Sequence, residues 1–179
     1  MAYADCVNTE MRALFAAGAD IVQLDEPYLQ AKQDEAAQYG VRAVNRALEG
    51  VIGETALHVC FGYAAMVSDK NADGYACLPL VEQIKVKQVS IEAAQPTSLN
   101  LKAALDALAT KTIMVGVINL GDETPETAAI VAQRIRNALK YISPDRLIAA
   151  PDCGLKYLPR ASARAKLHAL AQGAAIVNR

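Results

Sequence analysis

The sequence predicts an α/β fold built around a parallel sheet, and three observations lead to that prediction. Short runs rich in β-branched residues alternate with longer segments of helical periodicity, as in repeated βα units. The predicted strands begin at intervals of about 25 to 35 residues, which suits both an open doubly wound sheet and a (β/α)8 barrel. No linker, repeat or low-complexity tract divides the 179 residues, of which 53% are hydrophobic. We therefore expect a single domain over residues 1–179.

Five apolar runs predict the strands of this sheet. Each run is short and contains the β-branched residues that are typical of strands. The runs are Asp20–Asp25, Thr55–Cys60, Val86–Glu92, Thr112–Ile118 and Arg146–Ala150.

Helical segments lie between these strands and have recognisable ends. Gly18 and Gly50 follow the first two helices where a C-cap residue belongs. Thr124 and the two residues after it predict an N-cap, a proline at the first helical position and an acid in the first turn. The predicted helices are Asn8–Ala17, Gln33–Leu48, a short helix near Leu80 after a loop over 68–74, Thr124–Tyr141 and Ala161–Gln172.

Charge and hydropathy exclude several classes of protein. The chain has 18 basic and 19 acidic residues, so it lacks the positive charge that a nucleic acid or an anionic membrane surface would attract. No run of 18 apolar residues predicts a membrane span, and the N-terminus lacks the pattern of a secretory signal. We therefore expect a cytoplasmic protein that binds neither nucleic acid nor a membrane.

Polar residues follow each predicted strand at the point where its apolar run ends. In parallel α/β folds the catalytic and ligand-binding groups lie at these carboxyl ends. The residues concerned are Asp25, His58 with Cys60, Glu92, Asn119, and Asp152 with Cys153.

His58 and Cys60 form the most informative pair among these residues. They are two residues apart on a strand, so their side chains share one face, about 6 to 7 Å apart along the backbone. With Glu92 and Cys153 they would form a set of nitrogen, thiolate and carboxylate donors that suits Zn²⁺. The alternative is that the cysteines are small buried apolar residues.

The other candidate residues have simpler interpretations. Asp25, with the Glu-Pro pair that follows it, can be a turn between a strand and a loop. We interpret Cys6, Cys77 and His168 as structural, and the basic residues from Arg160 to Lys166 as a solvated helix face.

Four segments in this order resemble the C-terminal catalytic barrel of cobalamin-independent methionine synthase. They are Ile21–Pro27 (IVQLDEP), His58–Gly62 (HVCFG), Ser90–Glu92 (SIE) and Pro151–Lys156 (PDCGLK). The resemblance extends from about residue 10 to the C-terminus. The wider group includes the epoxyalkane:coenzyme M transferases.

The resemblance implies a fold and a set of site residues. The fold is a TIM-type (β/α)8 barrel, of which this chain would contain about the last five βα units. In that family a zinc ion is bound by residues that correspond to His58, Cys60, Glu92 and Cys153. The aspartate that corresponds to Asp25 binds the amino group of homocysteine, which a charge-assisted hydrogen bond would explain.

The implied activity is zinc-dependent alkyl transfer to a thiol. In methionine synthases of the methyltetrahydropteroyltriglutamate-homocysteine S-methyltransferase type, homocysteine takes a methyl group from a pterin. The methyl donor in the methionine synthases can also be a corrinoid, and the shorter relatives would have a different methyl donor or a different electrophile. The alternative within the group is the opening of an epoxide by a thiol such as coenzyme M. A second alternative is an inactive barrel fragment, or one that requires a partner.

Three departures from the family pattern qualify this expectation. Asn119 stands where the full-length enzymes have a histidine thought to donate a proton to the departing pterin, and an amide cannot do so by titration. Ala31 stands where those enzymes have a glutamate that contacts the folate. Five strands cannot close an eight-stranded barrel, so we expect open sheet edges that self-associate or pair with a complementary barrel half.

Overall fold

The computed structural model describes residues 1–62, 74–95 and 99–178. The predicted loop over 68–74 lies outside these ranges, apart from Gly74. Within the described residues, five strands form one parallel sheet in chain order. They are β1 (Ile21–Asp25), β2 (Glu54–Val59), β3 (Gln88–Ile91), β4 (Thr112–Ile118) and β5 (Leu147–Pro151). The predicted α/β class and all five predicted strands are confirmed, with shifts of one or two residues at most ends.

Helices connect successive strands. The segment predicted as one helix over 33–48 consists of a short helix over Gln33–Glu35, a π-helical turn over Ala36–Gly40 and a helix over Val41–Ala47. The helices are α1 (Ala2–Ala16), α2 (Tyr28–Ala31), α3 (Gln33–Glu35), α4 (Val41–Ala47), α5 (Leu78–Val81), α6 (Leu101–Ala107), α7 (Ala128–Ala138) and α8 (Arg160–Val177), with a 3-10 turn over Pro144–Arg146 before β5.

The hydrophobic core lies between one face of the sheet and the helices. Leu57, Val89 and Ile113 are register partners or neighbours on the three central strands, and all three are fully buried. Such continuous apolar strands are typical of parallel sheets that are covered by helices. The alternate residues of the same strands therefore face the other way, and these include the candidate site residues.

The pairing of β4 with β5 contains a β-bulge near the carboxyl ends of the two strands. The register passes from Gly116 opposite Ala150 to Ile118 opposite Pro151, so Val117 is the extra residue. Its carbonyl accepts a hydrogen bond of 2.8 Å from Nη1 of Arg134. The carbonyl of Val117 is therefore paired although it lies at the bulge.

The predicted start of α7 is wrong. The N-cap is Thr127, whose hydroxyl accepts a hydrogen bond from the Ile130 N–H, and not Thr124. Both threonines are suitable capping residues. The helix begins only after Glu126, whose carboxylate accepts hydrogen bonds from the N–H of Asn119 at 2.7 Å and from Arg134 of the helix at 3.0 Å.

The interpretation of residues 160–166 as a solvated face is wrong at Lys166. Its side chain is fully buried, and Nζ donates hydrogen bonds to the carbonyls of Asn119 and Thr124 and to Oε2 of Glu126, at 2.8 to 3.0 Å. Arg134 binds the other oxygen of Glu126. Arg160 and Arg164 are exposed, as expected. The loop that follows β4 is therefore fixed by a buried ion-pair cluster.

Among the described residues, no helix combines the length and the hydropathy that crossing a bilayer requires.

We expect Glu126→Gln to lower the free energy of unfolding at neutral pH by about 3–5 kcal/mol, because it leaves the buried Lys166 ammonium without its carboxylate. Urea denaturation followed by circular dichroism measures the change. Glu123→Gln, an exposed site three residues earlier, is the matched control. A loss no larger than that of the control would contradict the assignment.

The difference in the free energy of unfolding between Glu126→Gln and the unchanged chain should also depend on pH. Burial alone would raise the pKa of Glu126, but hydrogen bonds from Asn119, Lys166 and Arg134 outweigh it and lower the pKa below its ordinary value of 4.5. The contribution of Glu126 is therefore complete above that value and disappears as the pH falls through the lower pKa of the folded chain. Denaturation curves at acidic pH should converge for Glu126→Gln and the unchanged chain.

Candidate metal centre

Three potential metal ligands converge at the carboxyl end of the sheet. His58 lies on β2, Cys60 directly follows β2, and Cys153 follows β5. One ligand atom of each lies within 4.8 Å of the others, and His58 and Cys60 are buried. These residues lie together although 95 positions separate His58 from Cys153.

Two hydrogen-bond partners fix the orientation of the His58 ring. Nδ1 lies 2.9 Å from Oγ of Ser90, the register partner of His58 on β3, and Nε2 lies 3.2 Å from Sγ of Cys153. A histidine ligand is commonly held in this way, with one nitrogen bound to the protein and the other directed at the metal. Ser90 was not predicted as a site residue, although its position two residues before Glu92 puts it on the same strand face.

The Cys60 sulfur lies in a buried and polar environment. Its Sγ accepts a hydrogen bond of 3.2 Å from the N–H of Gly62. Gly62 has a φ of 60°, which glycine adopts at little cost, and the turn directs its N–H back at the sulfur. A hydrogen bond with Cys153 and burial raise the pKa of the Cys60 thiol well above its ordinary value.

Charge interactions also connect His58 with its neighbours. Burial alone would lower the pKa of His58, but the hydrogen bond and the charge of Cys153 outweigh it and raise the pKa, with contributions from Asp25 and Glu92. The two carboxylates are therefore close enough to act on the imidazole.

Glu92 lies beside the three ligand atoms but outside the group that they form. Its side chain is buried, and Oε1 accepts a hydrogen bond of 3.0 Å from the N–H of Phe61. Burial raises the pKa of Glu92 to about 7. A cation beside this carboxylate would favour its ionised form.

A cavity of about 500 Å³ opens over the histidine and the two cysteines. Asp25 lies on its wall, where Oδ1 accepts a hydrogen bond of 2.9 Å from Nε2 of Gln23. Asp25 is the register partner of His58 on the adjacent strand. The other lining residues are Gln23, Pro27, Gly62, Ser90, Met114, Ala150, Pro151, Gly154 and Lys156.

Asn119 and Ala31 are not among the described residues that line this cavity. Oδ1 of Asn119 accepts a hydrogen bond from the N–H of Gly121, and its backbone binds Glu126 and Lys166. Ala31 is exposed at the end of α2. Cys6 and Cys77 also lie apart from the three ligands, Cys6 exposed on α1 and Cys77 buried before α5.

Tyr75 joins the ends of β2 and β3 beside the site. Its hydroxyl donates a hydrogen bond to the carbonyl of Val59 at 2.9 Å and accepts one from the N–H of Glu92 at 2.7 Å. Its ring stacks on Phe61, with 4.5 Å between the centroids. No motif in the sequence indicated this residue, because it comes from the segment between the two strands.

The donor set fits zinc by its chemistry. One imidazole nitrogen and two thiol sulfurs, with a carboxylate nearby, are the ligands that Zn²⁺ prefers. A positive ion among them would offset the cost of ionising buried thiols. His58, Cys60, Cys153 and Glu92 could therefore hold such an ion.

Comparison with known proteins finds similarity to one family along almost the whole chain. The family model for the catalytic domain of the cobalamin-independent synthase matches residues 1–175. A methionine synthase of Saccharolobus islandicus is 34% identical over 178 residues, which is 97% of this chain and 49% of that protein. One of Thermococcus kodakarensis is 35% identical over 176 residues, 98% of this chain and 49% of that protein. The chain thus spans about half the length of the curated relatives it matches.

Solved structures agree with this similarity. The B12-independent methionine synthase of Shewanella sp. W3-18-1, solved in complex with selenomethionine, is 32% identical, with a TM-score of 0.88 over 98% of this chain and 53% of that chain. A methyltransferase of Methanosarcina mazei is 18% identical, with a TM-score of 0.69 over 94% of this chain and 47% of that chain, which shows the fold alone. The resemblance inferred from the four sequence motifs is confirmed.

We expect Tyr75→Phe to lower the free energy of unfolding by about 1–3 kcal/mol, because the Val59 carbonyl and the Glu92 N–H lose their bridging hydroxyl. The stacking on Phe61 is retained, so the change reports the hydroxyl alone. Urea denaturation of this variant beside Tyr141→Phe, a tyrosine that is 43% exposed, tests the expectation. Equal stabilities for the two variants would show that the bridge does not contribute.

Proposed function

The chain belongs to the family of cobalamin-independent synthases, and we propose that it supplies the zinc site for the transfer of a methyl group to the thiol of homocysteine. The convergence of His58, Cys60 and Cys153 within 4.8 Å at the wall of a cavity is the observation that supports this most strongly. The likeness to methionine synthases, one of them solved with selenomethionine, supports a sulfur-methylated amino acid as the product.

We assign the metal ligands to four residues. His58, Cys60 and Cys153 would bind through the atoms that already converge, and Glu92 would complete the set from its buried position beside them. A bound Zn²⁺ lowers the pKa of a thiol that coordinates it, so that the homocysteine sulfur is a thiolate at neutral pH. Ser90 holds the His58 ring, and the Gly62 N–H stabilises negative charge on the Cys60 sulfur.

Asp25 would orient the substrate. Its carboxylate lies on the cavity wall next to His58, where it can accept a charge-assisted hydrogen bond from the ammonium group of an amino-acid thiol. Gln23 holds Oδ1 of Asp25 in place from the same strand face. This contact would fix the substrate sulfur at the cysteine side of the cavity.

The transfer itself is a displacement at carbon. A lone pair of the homocysteine sulfur forms the new bond to the methyl carbon, while the bond between that carbon and the donor breaks and leaves its electron pair on the donor. The leaving group then takes a proton. Asn119, at the position of the family's histidine, has no titratable proton to give, so in this proposal the proton comes from another group or from solvent.

The described residues supply groups for two steps, which are metal binding and orientation of the thiol. The curated relatives are about twice as long as this chain. The epoxide-opening reaction of the wider group shares an activated thiol but uses one without an amino group. Asp25 therefore favours homocysteine over coenzyme M.

Elemental analysis of the purified chain should find about one zinc per chain, and Cys60→Ser and Cys153→Ser should each lose it, because Zn²⁺ needs the thiolates of its set. Cys6→Ser and Cys77→Ser are matched controls, since these cysteines lie outside the group of ligands. They should retain the metal. Undiminished zinc in both ligand variants would overturn the site assignment.

Replacement of Asp25 by alanine should weaken homocysteine binding to the zinc-loaded chain by about tenfold or more, because an ammonium-to-carboxylate hydrogen bond is lost. Isothermal titration calorimetry measures the affinity. Coenzyme M is the control ligand, and its binding should not change because it has no amino group. Equal losses of affinity for homocysteine and for coenzyme M would contradict the proposed contact. Preferential binding of coenzyme M by the unchanged chain would favour the epoxide reaction.

A further inference from the structure

Asp152 is a fully buried carboxylate that none of the steps above requires. Its Oδ1 accepts hydrogen bonds of 2.9 Å from the N–H groups of Ala93 and Ala94, and its Oδ2 accepts one of 2.7 Å from the N–H of Gln95. Its own N–H donates to the carbonyl of Ile118. Asp152 thus contacts both the segment that follows β3 and the last residue of β4.

Asp152 and the segment that it binds after β3 are each adjacent to an assigned metal ligand. Ala93 directly follows Glu92, and Asp152 directly precedes Cys153. The strands that carry these ligands, β3 and β5, do not pair with each other because β4 lies between them. Hydrogen bonding within the sheet therefore links these two strands only through β4. The bonds from Asp152 fix the segment after β3 directly to the segment after β5.

A glycine on the intervening strand makes this contact possible. A Cβ at Gly116 of β4 would lie 1.9 Å from Oδ1 of Asp152 and 3.0 Å from the backbone nitrogen of Ala93. Any side chain at this position would occupy the space through which the Asp152 carboxylate crosses β4. The close approach at Gly116 is an observation independent of the hydrogen bonds, and both indicate the same connection.

We propose that Asp152 is a positioning residue of the metal centre, which sets the distance between Glu92 and Cys153 by binding the backbone after β3. The inference rests on the proposed zinc site. It assigns to Asp152 a role in metal affinity in addition to any role in folding. Outer residues that orient metal ligands typically change metal affinity by about 10- to 100-fold when they are replaced.

The test compares zinc affinities, measured by competition with a chromophoric chelator, for the unchanged chain and Asp152→Asn. The amide preserves the shape of the side chain but presents an NH2 group to at least one of the three N–H donors. Leu108→Ala is the control, because this buried leucine after α6 lies near the start of β4, at the opposite end of the sheet from the site. It destabilises the core without touching the metal ligands.

We expect Asp152→Asn to bind zinc about 10- to 100-fold more weakly and Leu108→Ala to bind it as tightly as the unchanged chain. Equal affinity of Asp152→Asn and the unchanged chain would overturn the inference and leave the zinc site standing. An equal loss in Leu108→Ala would show that lower stability alone explains the effect, which also overturns it. Absence of zinc binding in the unchanged chain would instead refute the proposed function, and this inference with it.

A second measurement uses the unchanged chain, and it tests the role of Asp152 even if Asp152→Asn does not fold. Coupling between two sites is reciprocal, so a contact that strengthens metal binding must itself be strengthened by the metal. Hydrogen exchange at the amides of Ala93, Ala94 and Gln95 should slow when zinc is added, while that of Ile113, near the start of β4, should not. Identical exchange at the three amides with and without zinc would contradict the proposal.

Discussion

Five strands paired in parallel and in chain order end at one edge of the sheet, and the groups of the proposed site are attached at that edge. The register places Asp25 beside His58 and His58 beside Ser90, so three neighbouring strands each direct a polar side chain to one face. Cys153, which follows β5, reaches the same place, and its Sγ lies 3.2 Å from Nε2 of His58. A one-residue slip of β2 would turn His58 and Cys60 to the opposite face.

Buried charged groups at this edge are bound by backbone groups of the loops that follow the strands. Asp152 accepts from three N–H groups, Glu92 from Phe61, and Glu126 from Asn119, while Lys166 donates to two carbonyls. A polar group left unpaired in the interior would cost about 2–7 kcal/mol, so these bonds are needed for folding. They also determine the conformation of each loop, and the site residues are attached to these loops.

The sequence alone predicts the strands and the position of the candidate metal ligands, because buried parallel strands are continuous β-branched runs and the residues after them lie at one edge. It also predicts that His58 and Cys60 share a face. Contacts between distant segments could not be predicted in this way. Lys166 has the spacing of a solvated helix face, but the loop around Thr124 and Glu126 covers it. Tyr75 reaches β2 and β3 from a segment without a pattern of its own.

X-ray absorption spectroscopy at the zinc edge of the metal-loaded chain counts the atoms bound to the metal and so tests the proposed zinc site. We expect two sulfur neighbours at about 2.3 Å and two nitrogen or oxygen neighbours at about 2.0–2.2 Å, with a third sulfur on addition of homocysteine. A shell of nitrogen and oxygen alone would contradict the assignment of Cys60 and Cys153. An unchanged sulfur count with homocysteine would contradict activation of the thiol at this site.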